Sequence, residues 1–181
     1  MRLLNPLARA VRNQSGQAFV EFVFELMILL VLLFGLIDVS RFLTTRQTLI
    51  SVCREGSNLS LRQTSLSNAV AAVIASASPL TIGNTGTGST GRVIITEVTS
   101  SNNVNAITDQ YSAGGLTTVS SKIGTGINNP ATMPDGVTGI PQPDDKAYIT
   151  EVYYTFEPIT PIGRLVQIAF PTQFYDVAYF Q

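Results

Sequence analysis

The chain has 181 residues, of which 11 are Lys or Arg, 12 are Asp or Glu and none is His. Charged residues make up 13%, about half the share of an average soluble domain, and the net charge of −1 argues against a nucleic-acid binder, which would present a basic face. With no His and a single Cys, zinc sites of the Cys/His kind, Cys–His nucleophiles and Ser–His–Asp triads are excluded.

The charge is unevenly spread. Residues 1–16 hold Arg2, Arg9 and Arg12 and no acid, residues 17–62 balance four acids against four bases, and residues 63–181 set eight acids against four bases. The first element follows the basic arm directly. Ala18–Ile37 reads AFVEFVFELMILLVLLFGLI, 20 residues that as a helix span about 30 Å, the hydrocarbon thickness of a bilayer. Arginines on its N-terminal side predict that this end stays in the cytoplasm and that the rest of the chain lies outside the membrane. A cleaved secretory signal needs a shorter apolar stretch closed by small residues. Here Leu26–Ile37 runs into Asp-Val-Ser-Arg with no such ending.

Two acids interrupt the run. Glu21 and Glu25 are four residues apart, so they share one helix face. A carboxylate in hydrocarbon costs several kcal/mol unless it is paired or close to the interface. Either both snorkel toward water from the first turns, or at least one has a designated partner.

Past the membrane the helix is expected to continue. Val39, Phe42, Leu43, Leu49, Ile50 and Cys53 fall near one stripe at helical spacing. From Gln17 to Cys53 the helix would run about 55 Å, with Gly56 as its stop. Gly35 either lets the helix bend or pack closely or is simply a glycine that membrane helices tolerate. A second helix is predicted over 66–77, where Leu66, Ala69, Val70, Val73, Ile74 and Ala77 keep a 3.6-residue period, Ser65 is the cap and Pro79 limits extension.

Residues 76–128 contain 31 Ser, Thr, Asn and Gly in 53 positions, which explains much of the missing charge. Gly83–Gly91 is loop by composition and lacks the basic ending of a phosphate-binding loop. Residues 92–99, rich in β-branched side chains, are a predicted strand, and 115–121 a weaker one. Asn128–Pro143, with four prolines, reads as loop. The clearest strand is 147–156, with Tyr148, Val152, Tyr154 and Phe156 on one face and Glu151 on the other, ended by Pro158 and Pro161. Residues 174–180 form a last aromatic strand. The fold class is α+β and pilin-like: a long hydrophobic N-terminal helix, a short second helix and a small antiparallel sheet. The expected domains are a basic leader at 1–16, the transmembrane and assembly helix at 17–57, and an extracytoplasmic head at 58–181.

The head offers little chemistry. Asp144-Asp145 is the one acid pair, and no shaped loop of five or more oxygen ligands for Ca²⁺ is legible around it, so a solvated loop is the simpler reading. Cys53 on the apolar stripe is expected to be packed, with an intermolecular disulfide as the alternative. The Tyr and Phe strands read as core rather than as a ligand platform. No catalytic, cofactor-binding or metal-binding residue is assigned.

Gly16-Gln17-Ala18-Phe19-Val20-Glu21-Phe22 resembles the processing site of type IV prepilins: a Gly after a basic leader, a Glu five residues on, then an apolar helix. The Glu21-Phe22 pair is similar to that of the Tad (tight-adherence, Flp-type) branch. Phe34-Gly35-Leu36-Ile37-Asp38 with Arg41 resembles the F-G-x-x-[DE]-x-x-R stretch of TadE/TadF-like pseudopilins. Arg54-Glu55-Gly56 resembles their [AC]-R-E-G motif. Val152-Tyr153-Tyr154-Thr155-Phe156-Glu157-Pro158, with Pro161, is similar to their C-terminal V-x-Y-x-[YF]-x-P strand. The resemblance covers 16–57 closely and 147–162 more loosely, and it is absent over 78–146. Glu25-Leu26 stands where relatives often carry Leu-Pro, which leaves Glu25 without an inherited role.

The resemblance implies a pilus-system subunit, cut after Gly16 by a prepilin peptidase, with Gln17 as the new N-terminus. Glu21 would then neutralise the new amine of a neighbouring subunit, and because burying either charge alone is costly, pairing sets the axial stagger of a helix bundle. The plain alternative is a signal anchor with an interfacial Glu. The partners implied are other pilin or pseudopilin subunits, the peptidase, an inner-membrane assembly platform and lipid. Three function classes follow: a structural subunit for adhesion, a membrane-anchored assembly factor that does not polymerise, and an anchored enzyme. The sequence shows no nucleophile–base arrangement in favour of the last.

Overall fold

The computed structural model describes residues 6–62, 65–82, 90–101, 104–135, 141–142, 145–163 and 171–181, and of residues 6–15 the backbone alone. Arg2, the glycine-rich stretch 83–89, the 136–140 part of the expected loop, Pro143 and Asp144 lie outside the described residues.

Two helices and four strands follow one another in chain order: α1 (Pro6–Leu61), α2 (Leu66–Ser76), β1 (Gly91–Ser101), β2 (Val104–Gly114), β3 (Lys146–Thr155) and β4 (Gln173–Phe180). The expected α+β class, with a long apolar helix, a short second helix and an antiparallel sheet, is what the chain forms. Two compact units result. One comprises Met1–Ser40 and Pro158–Ala169, the other Arg41–Glu157 and Phe170–Gln181.

In the first unit, α1 passes through the apolar run, and its residues from Gly16 to Leu33 are all exposed. Apart from Glu21 and Glu25 the run is apolar all round, and such a helix needs an apolar surrounding, which no described residue of the chain supplies.

The second unit is built on a sheet of order β2-β1-β3-β4, antiparallel throughout. The 41–61 part of α1 and helix α2 cover one face. Phe42, Leu49, Val52 and Cys53 of α1 and Leu66, Ala69, Val70 and Val73 of α2 join Val93, Ile95, Val152, Phe156 and Phe174 in one core. Phe42 packs edge-on against Phe156, with ring centroids 5.6 Å apart, and lies 4.8 Å from Phe174. Such aromatic pairs add to the area they bury. The expected stripe on α1 holds at Phe42, Leu49 and Cys53. It fails at Leu43, which is 52% exposed, because it lies about 100° round the helix from Phe42. Thr45, Ser57 and Ser60 complete the buried face instead.

Gly56 does not stop α1, which continues to Leu61. It is a point of close approach. A Cβ there would lie 2.8 Å from Thr150 Cγ2 on β3 and 2.9 Å from Val73 Cγ2 on α2. The next residue, Ser57, donates to Thr150 Oγ1 and to the Ala178 carbonyl, both at 2.9 Å. Helix α2 starts as expected, Ser65 Oγ accepting from Asn68 N.

The strand expected at 115–121 is a loop, and β2 occupies 104–114 instead. Fully buried Ile107 is the exception in a polar segment, so β2 owes its pairing to β1 rather than to an apolar pattern of its own. Its outer edge is closed by the chain at 128–131: Asn128 N donates to Ile107 O, Ile107 N to Asn129 O and Ala131 N to Asn105 O. Over residues 105–107 this cap blocks further strand addition. The 115–133 stretch covers the second face of the sheet, where Val98, Ile149 and Ile123 form a smaller core with Ala131, Met133 and Val177 against it.

Candidate functional site

The residues singled out from the sequence fall in three places. Gly16, Gln17, Glu21 and Phe22 sit within the exposed first half of α1. Phe22 is 59% exposed, Glu21 and Glu25 are both solvent-facing, and a Cβ at Gly16 would meet nothing within 4 Å. Phe34 and Gly35 are half-buried. The helix runs unbroken through Gly35, and among the described residues nothing lies within 4 Å of a Cβ built there, so close packing at Gly35 finds no partner among them.

Asp38 follows the apolar run and is fully buried. Its Oδ1 accepts from Ile159 N at 3.2 Å, and its Oδ2 accepts from Thr160 Oγ1. Those donors stand between Pro158 and Pro161. The carboxylate of the Phe34–Arg41 motif is therefore joined to the end of the Val152–Pro161 motif, across 121 residues of sequence. A turn closed by Gly163 N and Thr160 O, 2.9 Å apart, shapes the loop, and a Cβ on Gly163 would stand 3.3 Å from Asp38 Oδ2.

Arg41, Arg54 and Glu55 are exposed on α1. Arg54 and Glu55, with Gln47, Ile50, Ser51, Asn58 and Phe180, line a shallow groove on the second unit. Of that motif only Gly56 points inward.

Sequence reasoning missed the most elaborate polar cluster. Glu151 on β3 is fully buried, on the face opposite α1. Its Oε1 accepts from Lys122 N at 2.9 Å, Tyr175 Oη at 3.1 Å and Tyr153 Oη at 3.2 Å, and its Oε2 accepts from Ser121 Oγ. Burial first, and the Glu151 charge second, hold both tyrosine hydroxyls protonated well above the ordinary phenol range, so both remain donors. The Lys122 ammonium caps the cluster 3.6 Å above the Tyr175 ring. Beside it, Arg92 Nη1 donates to the carbonyls of Thr117 and Val119, and its Nη2 to Ser112 Oγ. The loop carbonyls are taken by side chains instead of a ladder, which is why 115–121 is not a strand. Glu151 and Arg92 thus strap this loop to the sheet. One signal was present in the sequence: Ala147, Ile149 and Tyr153 share the face of Glu151, so both faces of β3 are apolar and both have to be covered.

Cys53 is free and fully buried, as its place on the stripe predicts, and burial pushes its thiol far above the usual range. Asp145 accepts from Lys146 N at 2.8 Å and Gln181 Nε2 at 2.9 Å. Among the described residues no group of three or more His, Cys, Asp or Glu is arranged to hold a metal ion.

One helix, Gly16–Leu61, is long and apolar enough to cross a membrane, and none of its most apolar window is buried within the chain. This suggests a membrane anchor. No curated protein and no solved structure matches the chain. The family model described as TadE-like protein matches residues 16–58, the stretch that holds the apolar run, Asp38 and the Arg54–Gly56 motif, so over this segment the chain is similar to TadE-like proteins.

Proposed function

We propose that the chain is a structural subunit of a Tad-type pilus system, a minor pilin or pseudopilin that works by packing and recognition rather than by catalysis. In this reading it sits in the bacterial inner membrane with a single pass, N-terminus in the cytoplasm and second unit outside. A prepilin peptidase cuts after Gly16, and the helix beginning at Gln17 enters a bundle with other pilin or pseudopilin subunits on the inner-membrane assembly platform, toward a filament used in adhesion. In this reading 1–16 is the leader, the transmembrane and assembly helix begins at Gln17, and the head follows the end of α1.

The observation that carries this reading is the exposure of the apolar half of α1. Phe19 is 68% exposed, Leu32 69% and Leu36 66%. Burying such side chains is worth about 1.5–3 kcal/mol each, a gain that lipid and then neighbouring helices would collect in turn. Glu21 lies one turn below Glu25 on this surface. As the residue that sets register it pairs with the Gln17 amine of a neighbour, and Phe22 packs beside it. Asp38, Arg41, Arg54 and Glu55 then belong to the part of the helix above the membrane.

Mass spectrometry of sheared surface filaments tests the proposal. Recovery of the chain beginning at Gln17 is the expected result. A start at Met1 would refute cleavage, and absence from the filaments with the protein intact in membranes would leave the second reading, an anchored assembly factor that does not polymerise. Glu21→Ala is expected to insert normally and to abolish incorporation; normal piliation in that variant sinks the register role.

A further inference from the structure

We propose that the loop 158–163 is a lipid-contact element, seated on the outer bilayer surface beside the membrane helix and anchored there by Asp38. The inference rests on the reading of α1 as membrane-spanning.

Depth comes from counting along α1. Ala18–Ile37 fills the hydrocarbon with 20 residues at 1.5 Å each, so Asp38 lies at the hydrocarbon boundary. A carboxylate at that level is costly when it faces lipid. Asp38 does not face it. The Ile159 amide and the Thr160 hydroxyl occupy its two oxygens, and its side chain is fully buried. The cover is held at the same depth as the group it covers. The loop and the helix up to Ser40 belong to one compact unit, so the height of the loop follows from the helix within that unit.

The outward chemistry of the loop suits lipid. Pro158-Ile159-Thr160-Pro161-Ile162-Gly163 has no charge. Its one hydroxyl is spent on Asp38. Ile159 donates its amide to Asp38 and leaves its side chain 66% exposed. The loop is thus polar toward Asp38 and leaves the apolar side chain of Ile159 exposed, at the level where the apolar run of α1 ends. An apolar side chain at this level would enter the boundary between headgroups and acyl chains. The effect on the protein is to fix how far α1 emerges, because any sliding of the helix would drag Ile159 with it.

The chain contains no Trp, so one introduced indole reports its own position. Full-length Ile159→Trp and Phe24→Trp proteins would be placed in vesicles of phosphatidylethanolamine and phosphatidylglycerol brominated near the top or near the end of the acyl chain. Phe24→Trp is the reference for insertion. If bromine at neither level quenches it, the membrane reading itself fails. With that reference quenched, the expected result for Ile159→Trp is severalfold quenching by shallow bromine, weaker quenching by deep bromine and shielding from aqueous iodide. An indole open to iodide and untouched by bromine overturns the inference while leaving the span in place. A blue shift that grows with protein density without bromine quenching means that a second copy covers the loop, which also overturns it. Adding Asp38→Ala or the milder Thr160→Val should lower the shallow quenching at position 159 and leave Phe24→Trp unchanged; quenching that persists in both removes Asp38 as the anchor.

Discussion

The two halves of α1 use the same secondary structure to opposite ends. Between Phe19 and Leu33 every large apolar side chain is at least 40% exposed. Between Phe42 and Ser60 the buried positions recur at three and four residues, from Phe42 through Thr45, Leu49, Val52 and Cys53 to Ser57 and Ser60. Beyond Glu25 the first half is apolar on all sides, so no single face can be chosen for burial. The second half is amphipathic, with Arg41, Arg46, Arg54 and Glu55 left outside, and a sheet can cover its one apolar stripe. Helicity is common to both, and the angular distribution of charge decides which half belongs to the folded core. The stability of the second unit should therefore be insensitive to the first half of α1, and association should depend on it.

The largest effect is expected from Glu151→Ala. It leaves the Ser121 and Tyr175 hydroxyls and the Lys122 amide without this acceptor, while the Tyr153 hydroxyl keeps the Ser120 carbonyl at 2.9 Å, and each buried donor so orphaned costs about 1–3 kcal/mol. Urea unfolding of the detergent-solubilised protein should show a loss of at least about 3 kcal/mol, with membrane insertion unchanged. Gly56→Ala comes next. The new methyl would press on Thr150 and Val73, both stiff at χ1, and overpacking of this kind costs about 1–3 kcal/mol, read as a lower urea midpoint. An effect near zero would mean that α1 moves away from the sheet at little cost.

Leu32→Ala, on the other side of the comparison, should change the same unfolding curve by less than about 0.5 kcal/mol, as exposed positions do, yet weaken assembly in a crosslinking assay. A large stability loss there would show that the apolar half packs within the chain after all.

The smallest effect concerns Asp176, whose carboxyl is pushed up mainly by burial, against the opposing pull of Arg46 and Arg54. A folded-state pKa above the ordinary 3.8 means that the folded chain holds this proton more tightly than the unfolded one. That contribution is complete below the ordinary value and is lost as pH rises through the folded one. Asp176→Asn should accordingly melt slightly higher than the parent at neutral pH, and the difference should vanish in acid. A melting-temperature series across that range checks the sign.

Much of this architecture was legible from residue order. The apolar run, the 66–77 helix with its Ser65 cap, the strands at 92–99 and 147–156 and the aromatic strand at 174–180 all announce themselves by period and composition. The candidate site was legible in part: Asp38 stands out as an acid closing an apolar run, but its donors come from residues 159 and 160, and nothing local indicates them. β2 was misplaced because a polar edge strand carries almost no periodic signal. Gly56 was misread because a glycine at a helix end and a glycine under a neighbouring layer look alike in one dimension.

Residue order therefore sufficed wherever the deciding interaction is local or is made with solvent. The 3.6 and 2.0 periods, the caps and the expulsion of charge from residues 26–37 are of that kind, and they assigned the helices, most of the strands and a segment fit to cross a bilayer. The folded chain alone decided which face of a strand is covered, which glycine is pressed and which carboxylate is satisfied. Glu151 is held by residues 121, 122, 153 and 175, and Asp38 by a loop more than a hundred residues away. A buried polar group is stable only when its partners arrive from other elements, and their arrival depends on how the layers stack, a property that no single stretch of sequence contains.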